Sequence, residues 1–154
     1  TGHRIGYFCA PQPVADAALK IHQYTILCAG RSAQAAAIAA LKTGWENGYQ
    51  DILHMRESYN RRRRLMHHAF NEMGLTCFEP KGAFYAFPCI KSTGLDSETF
   101  CARLLNEQAV VCIPGNAFGE SGEGYIRCCY ATDQDKMMEA FKRIRAFLAT
   151  LQEE

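Results

Sequence analysis

The spacing of apolar positions predicts a chain of helices followed by a small mixed region. Ile5 to Ala10 form a short apolar run suited to a buried strand, and Pro11 and Pro13 stop it. Val14 to Leu27 read as a helix, with Tyr24, Thr25 and Ile26 weakening its end. Ser32 is placed to cap a second helix over Ala33 to Lys42, whose many alanines imply close packing on several sides. Gly44 and Gly48 interrupt next and mark the expected boundary between residues 1–48 and 49–154.

A long helix follows from about Gln50 to Met73. Ile52, Met55, Tyr59, Met66, Phe70 and Met73 fall three, four or seven apart on one stripe, and Gly74 ends it. Thr76–Phe78 and Ala83–Ile90 read as strands flanking Pro80-Lys81-Gly82. Asp96 or Ser97 opens a helix through Ala109. Val110–Ile113 is a short strand ending at Pro114-Gly115, and Gly124–Ala131 is another. Thr132 with Asp135 resembles a capping box for a last helix carrying Met137, Phe141, Ile144, Leu148 and Leu151. The expected class is α/β, with an α+β small domain whose small mixed sheet packs against helices.

Composition narrows the function classes. The 154 residues are 48% hydrophobic and 21% charged, an ordinary globular balance that excludes a disordered or fibrous chain. A net charge of +1 gives no footprint for nucleic acid or an anionic membrane. No apolar stretch approaches the roughly 18 residues of a spanning helix, and no leader pattern is present, so a soluble cytoplasmic protein is expected. The chain opens at Thr1 inside a glycine-rich apolar segment, and the expectation is a piece of a longer protein.

The eight cysteines include no C-x-x-C pair. Most stand in apolar runs, such as Ile26–Ala29 and Val110–Ile113, and read as reduced, buried thiols rather than a disulfide framework. Arg61 to Arg64 cross the middle of the long helix with Glu57 and Glu72 nearby, which favours a solvated face over a nucleic-acid patch. His67 and His68 diverge on that helix and read as solvated, not as metal ligands.

Two arginines remain. Arg127 stands in the apolar segment Gly124-Tyr125-Ile126-Arg127-Cys128-Cys129-Tyr130, where a permanent charge needs either a carboxylate partner or an anion in a cleft. Arg4 lies between Gly2 and Gly6, where a bent backbone could bring its planar fork to a phosphate. Thr1-Gly2-His3-Arg4-Ile5-Gly6-Tyr7, Gly82-Ala83-Phe84-Tyr85, Pro114-Gly115-Asn116-Ala117-Phe118-Gly119 and Gly124-Tyr125-Ile126-Arg127 occur in this order. Together they resemble the C-terminal portion of a class I/II, fold type I, pyridoxal-phosphate-dependent aminotransferase of the aspartate-aminotransferase type.

That resemblance implies that Arg4 binds the cofactor phosphate and Arg127 the substrate α-carboxylate. Residues 1–48 would be the tail of the large cofactor-binding domain, and 49–154 the small domain with its linking helix. The implied activity moves an amino group between an amino acid and a 2-oxo acid in a homodimer, without nucleic acid, membrane or metal. His3 stands where the family commonly has Trp and reads as a packing position. The family's Schiff-base lysine lies upstream of its T-G-x-R motif, and none of Lys20, Lys42, Lys81, Lys91, Lys136 and Lys142 matches it. The fragment alone is therefore expected to contain no catalytic residue, to be inactive and not to retain pyridoxal 5'-phosphate. A lyase or decarboxylase of the same fold, an aminotransferase-like sensing module of a transcription regulator, and a plain structural domain are the alternatives.

Overall fold

A computed structural model of the chain describes residues 2–153, which divide into two compact units, one ending at His54 and one beginning at Met55. In the first unit, α1 spans Gln12–Thr25 and α2 spans Arg31–Asn47. Pro13 fits the first turn of α1, where the missing N–H removes no helical bond. The expected strand at residues 5–10 is not formed: Tyr7 and Phe8 are exposed, and no ladder among the described residues pairs with them. An extended segment becomes a strand only when a neighbour takes its N–H and C=O groups.

The helix starts and stops also differ in detail. α2 begins at Arg31 after Gly30 without a side-chain cap, so Ser32 lies inside the first turn. It runs through Gly44, where an added Cβ would come within 2.5 Å of the Tyr49 ring. The helix ends at Gly48 in the left-handed conformation, φ 67°, leaving Gly48 alone as the stop. The close packing expected of the alanines is absent among the described residues. Only Ala33 and Gly44 of α2 are buried, α1 buries nothing, and Tyr24 is 94% exposed.

α3, Gln50–Glu72, begins in the first unit and continues into the second, where Met66, Ala69 and Phe70 face its core and Gly74, φ 81°, follows its end. The second unit adds β1 (Tyr85–Ala86), α4 (Ser97–Gln108), β2 (Ile113–Pro114), β3 (Ile126–Cys129) and α5 (Gln134–Glu153). The strand order is β1-β3-β2, with Tyr85 opposite Cys129 and Ile113 opposite Arg127. The sheet packed on helices is present, but its pairings are all antiparallel rather than mixed. The crossover through α4 leaves β1 and β2 running the same way, and β3 fills the gap between them as in a split βαβ unit.

The strands are shorter than their apolar runs. Pro88 cannot donate to a ladder, so beyond β1 the segment keeps only isolated bonds, such as Ile126 N–H to the Pro88 carbonyl at 3.2 Å. Residues 76–78 form no strand, although the Thr76 carbonyl accepts from Cys89 N–H at 2.8 Å. The core is built between α3, α4, α5 and the inner face of β3. Phe70 meets Phe141 edge-on at 5.8 Å and Phe100 meets Phe147 at 5.2 Å.

Polar contacts fix the element ends. Asp96 caps α4, its carboxylate accepting from the Thr99 N–H at 2.8 Å and the Thr99 hydroxyl at 2.7 Å. At α5 the expected Thr132–Asp135 box is replaced by Asp133, which accepts from Asp135 N–H at 2.9 Å. The Thr132 carbonyl is engaged by the Arg62 guanidinium. Arg62 also lies over the Tyr59 ring, and Arg63 binds Glu79 at 2.6 Å and the Pro80 carbonyl at 3.2 Å. Two of the four arginines thus tie α3 to loops, which corrects the wholly solvated face. Arg61, paired with Glu57, and Arg64 remain exposed.

All eight cysteines are free. Cys77, Cys101 and Cys128 are buried, and burial, with Cys112 adding to it, pushes the Cys101 thiol up to about 12. Cys9, Cys28 and Cys129 are exposed, Cys28 because the end of α1 is open to solvent. His68 is exposed against Glu72, and no cluster of metal-ligating side chains occurs among the described residues. No helix among them is long and apolar enough to cross a membrane.

Candidate functional site

β3 alternates strictly: Ile126, Cys128 and Tyr130 enter the core, while Tyr125, Arg127 and Cys129 face the other way. A charged residue can therefore occupy an apolar strand without entering the core. The Arg127 guanidinium carbon lies 4.4 Å from the Tyr85 ring centroid and 4.4 Å from that of Phe118. Stacking between two rings holds the planar fork at its faces and leaves its N–H edges available. No carboxylate forms an ion pair with Arg127 among the described residues.

Each wall of the sandwich comes from a different element. Tyr85 is set by β1, which pairs with β3 at Cys129. Phe118 is carried by the turn Gly115–Phe118, whose shape depends on close backbone contact. A Cβ on Gly115 would stand 2.1 Å from the Gly122 carbonyl oxygen, so only glycine fits there. Gly115 N–H donates to the Tyr125 carbonyl at 2.8 Å and anchors the turn to the strand that carries Arg127.

A pocket of about 490 Å³ opens beside this cluster, walled by Tyr85, Phe87, Phe118 and Tyr125. Phe87 contacts Phe118 at 5.8 Å and Tyr125 at 6.3 Å, so the rings brace one another. Behind it, the fully buried Ser97 accepts from Gly124 N–H at 2.9 Å. Glu123 accepts from Ser97 N–H at 2.8 Å, and that bond holds its carboxyl below the usual range. These contacts fix the turn from which β3 departs.

Sequence reasoning singles out Arg127 as a candidate but not Tyr85 and Phe118, the rings its guanidinium lies over. The available signal was the pair of aromatic-containing motifs, Gly82–Tyr85 and Pro114–Gly119, flanking the strand in order. Arg4 is placed differently. It lies in the first unit with an exposed side chain and a left-handed backbone, φ 48°. Among the described residues it makes no ion pair. His3 beside it is exposed as well, in place of the packing expected.

The chain is similar to known proteins along nearly its whole length. The family described as aminotransferase class I and II matches residues 1–144. YugH of Bacillus subtilis (strain 168) is 51% identical over 96% of the chain, and aromatic-amino-acid aminotransferase 2 of Thermococcus litoralis is 43% identical over 96%. The crystal structure of an aromatic aminotransferase from Pyrococcus horikoshii OT3 superposes with a TM-score of 0.86 at 41% identity, covering 99% of this chain and 40% of that one. The chain spans 37% and 38% of the length of those two curated relatives. With the family model covering most of its length and the fold type I architecture shared, this chain belongs to the class I and II aminotransferases.

Proposed function

We propose that this chain is the C-terminal portion of a pyridoxal-phosphate-dependent aminotransferase that moves an amino group between an amino acid and a 2-oxo acid. The observation that carries the reading is Arg127, a permanently charged fork clamped between Tyr85 and Phe118 with no carboxylate paired to it among the described residues. Both half-reactions use substrates bearing an α-carboxylate, and a two-pronged guanidinium matches that group in each. The rings on either side hold the fork in place, which would fix the substrate's orientation.

The residues present fit the cofactor as far as this chain reaches. Arg4, exposed between glycines at a left-handed backbone point, offers five N–H donors to a phosphate. The cofactor, when bound, supplies the electron sink that labilises bonds at the substrate α-carbon. In this reading residues 1–48 end the large cofactor-binding domain and 49–154 form the small domain. The covalently attached lysine belongs to the part of the relatives that this chain does not span. The chain alone then neither retains cofactor nor transaminates, and the longer protein works as a homodimer. The exposed Tyr24 and Trp45 accord with helices that pack against further protein.

The test is made in the longer protein. Arg127→Leu is expected to lower kcat/KM for amino donor and 2-oxo acid alike by about 3 kcal/mol, roughly a hundredfold, with cofactor absorbance unchanged. Activity equal to wild type overturns the assignment. A residue other than lysine about eight positions before Arg4 in the longer reading frame overturns the reaction class.

A further inference from the structure

The β2–β3 register, carried one residue beyond β2, leads to a facing pair of thiols. Ile113 stands opposite Arg127 and Pro114 opposite Ile126, so the same register sets Cys112 directly opposite Cys128. Their sulfurs are 3.4 Å apart and unbonded. Facing residues of an antiparallel pair have Cα atoms about 4.5–5.5 Å apart, within the span a disulfide bridges, so a rotation of the side chains is enough to join them.

The two thiols differ in access. Cys128 is buried at 7% exposure, whereas Cys112 is half-buried. Both line an open, largely apolar groove of about 690 Å³ that Phe70, Phe141 and Ile144 also border. A small thiol reagent entering the groove therefore meets Cys112 first.

We propose that Cys112 and Cys128 form a reversible oxidative modification site, closing to a cross-strand disulfide by exchange with a small-molecule disulfide. The Cys112 thiolate attacks one sulfur of the reagent, forming a mixed disulfide and expelling one reagent thiol. Cys128 then attacks the Cys112 sulfur, breaking the mixed disulfide and expelling the second thiol. Two protein thiols lose two protons and two electrons, and the reagent's disulfide bond takes them up to become two thiols. The contact with Cys112, followed by burial, holds the Cys128 thiol well above its ordinary value, so it acts as the resolving partner rather than the first nucleophile. The bond staples β2 to β3 one rung from Arg127, at the edge of the candidate site.

The chain is incubated with glutathione disulfide, alkylated, digested with trypsin and read by tandem mass spectrometry. Cleavage after Arg103, Arg127 and Lys136 separates Cys101, Cys112 and the Cys128–Cys129 segment into three peptides. The expected product joins the Cys112 peptide to the Cys128 peptide, persists in Cys129→Ser, disappears in Cys112→Ser and in Cys128→Ser, and reverts with dithiothreitol. In Cys128→Ser, Cys112 is expected to accumulate as the glutathione mixed disulfide. Recovery of Cys112 and Cys128 as free thiols while Cys9, Cys28 and Cys129 are modified overturns the proposal. So does a Cys112 link to Cys101 or to Cys129 in place of Cys128.

Discussion

Arg127 shows how much one residue can say before its neighbours are known. Its charge on an apolar strand demanded an anion, and the strand's two-residue period put it on the face away from the core. The sequence could not distinguish an internal carboxylate from an external one, because either lies far along the chain. The structure adds that the guanidinium lies over the rings of Tyr85 and Phe118 and makes no ion pair among the described residues. Glu123 carries a residue-scale prediction. Its carboxyl sits below the usual range through the bond from Ser97 N–H, so it stabilises the fold above the unfolded value of about 4.3. That contribution is lost as pH falls through the lowered folded value, because protonation weakens an acceptor. Acid unfolding of Glu123→Gln, followed by circular dichroism between about pH 2 and 5, is expected to depend less steeply on pH than that of the wild type. An unchanged slope places the acid sensitivity elsewhere.

Helices were read closely because their signals are local. α3 follows its stripe at Met66 and Phe70 and stops one residue short of Met73, and of the two residues that could open α4 the structure makes Asp96 the cap. Strands were overextended, since apolar runs report burial but not pairing. Ala83–Ile90 keeps only Tyr85–Ala86 as strand because Pro88 has no N–H to give. The end of α4 supplies the prediction at this scale. Ala109 closes the helix in the left-handed region at φ 52° with an exposed side chain, a conformation that strains any Cβ. Ala109→Gly is expected to raise stability by about 1 kcal/mol in urea denaturation, with an unchanged m-value. A loss of stability contradicts the strain.

The whole molecule divides by burial. The second unit holds the continuous core around Phe70, Phe100, Ile126 and Phe147, whereas α1 in the first unit buries nothing. Phe70→Ala is expected to destabilise the second unit by about 3–5 kcal/mol in chemical denaturation. Trp45→Ser, at a residue 79% exposed, is expected to change stability by less than about 0.5 kcal/mol. Equal effects contradict this division. By itself the sequence determined the order of helices, the Met66–Phe70 stripe of α3, the family motifs and the charge of Arg127, because each rests on spacing within a few residues. Tertiary structure alone decided which apolar runs pair as strands, that the pairings are antiparallel, and that Arg62 and Arg63 tie α3 to loops. It also decided that Cys112 faces Cys128 and that two rings clamp Arg127. Each of these joins residues distant in the chain, and only the folded backbone sets their register and distance.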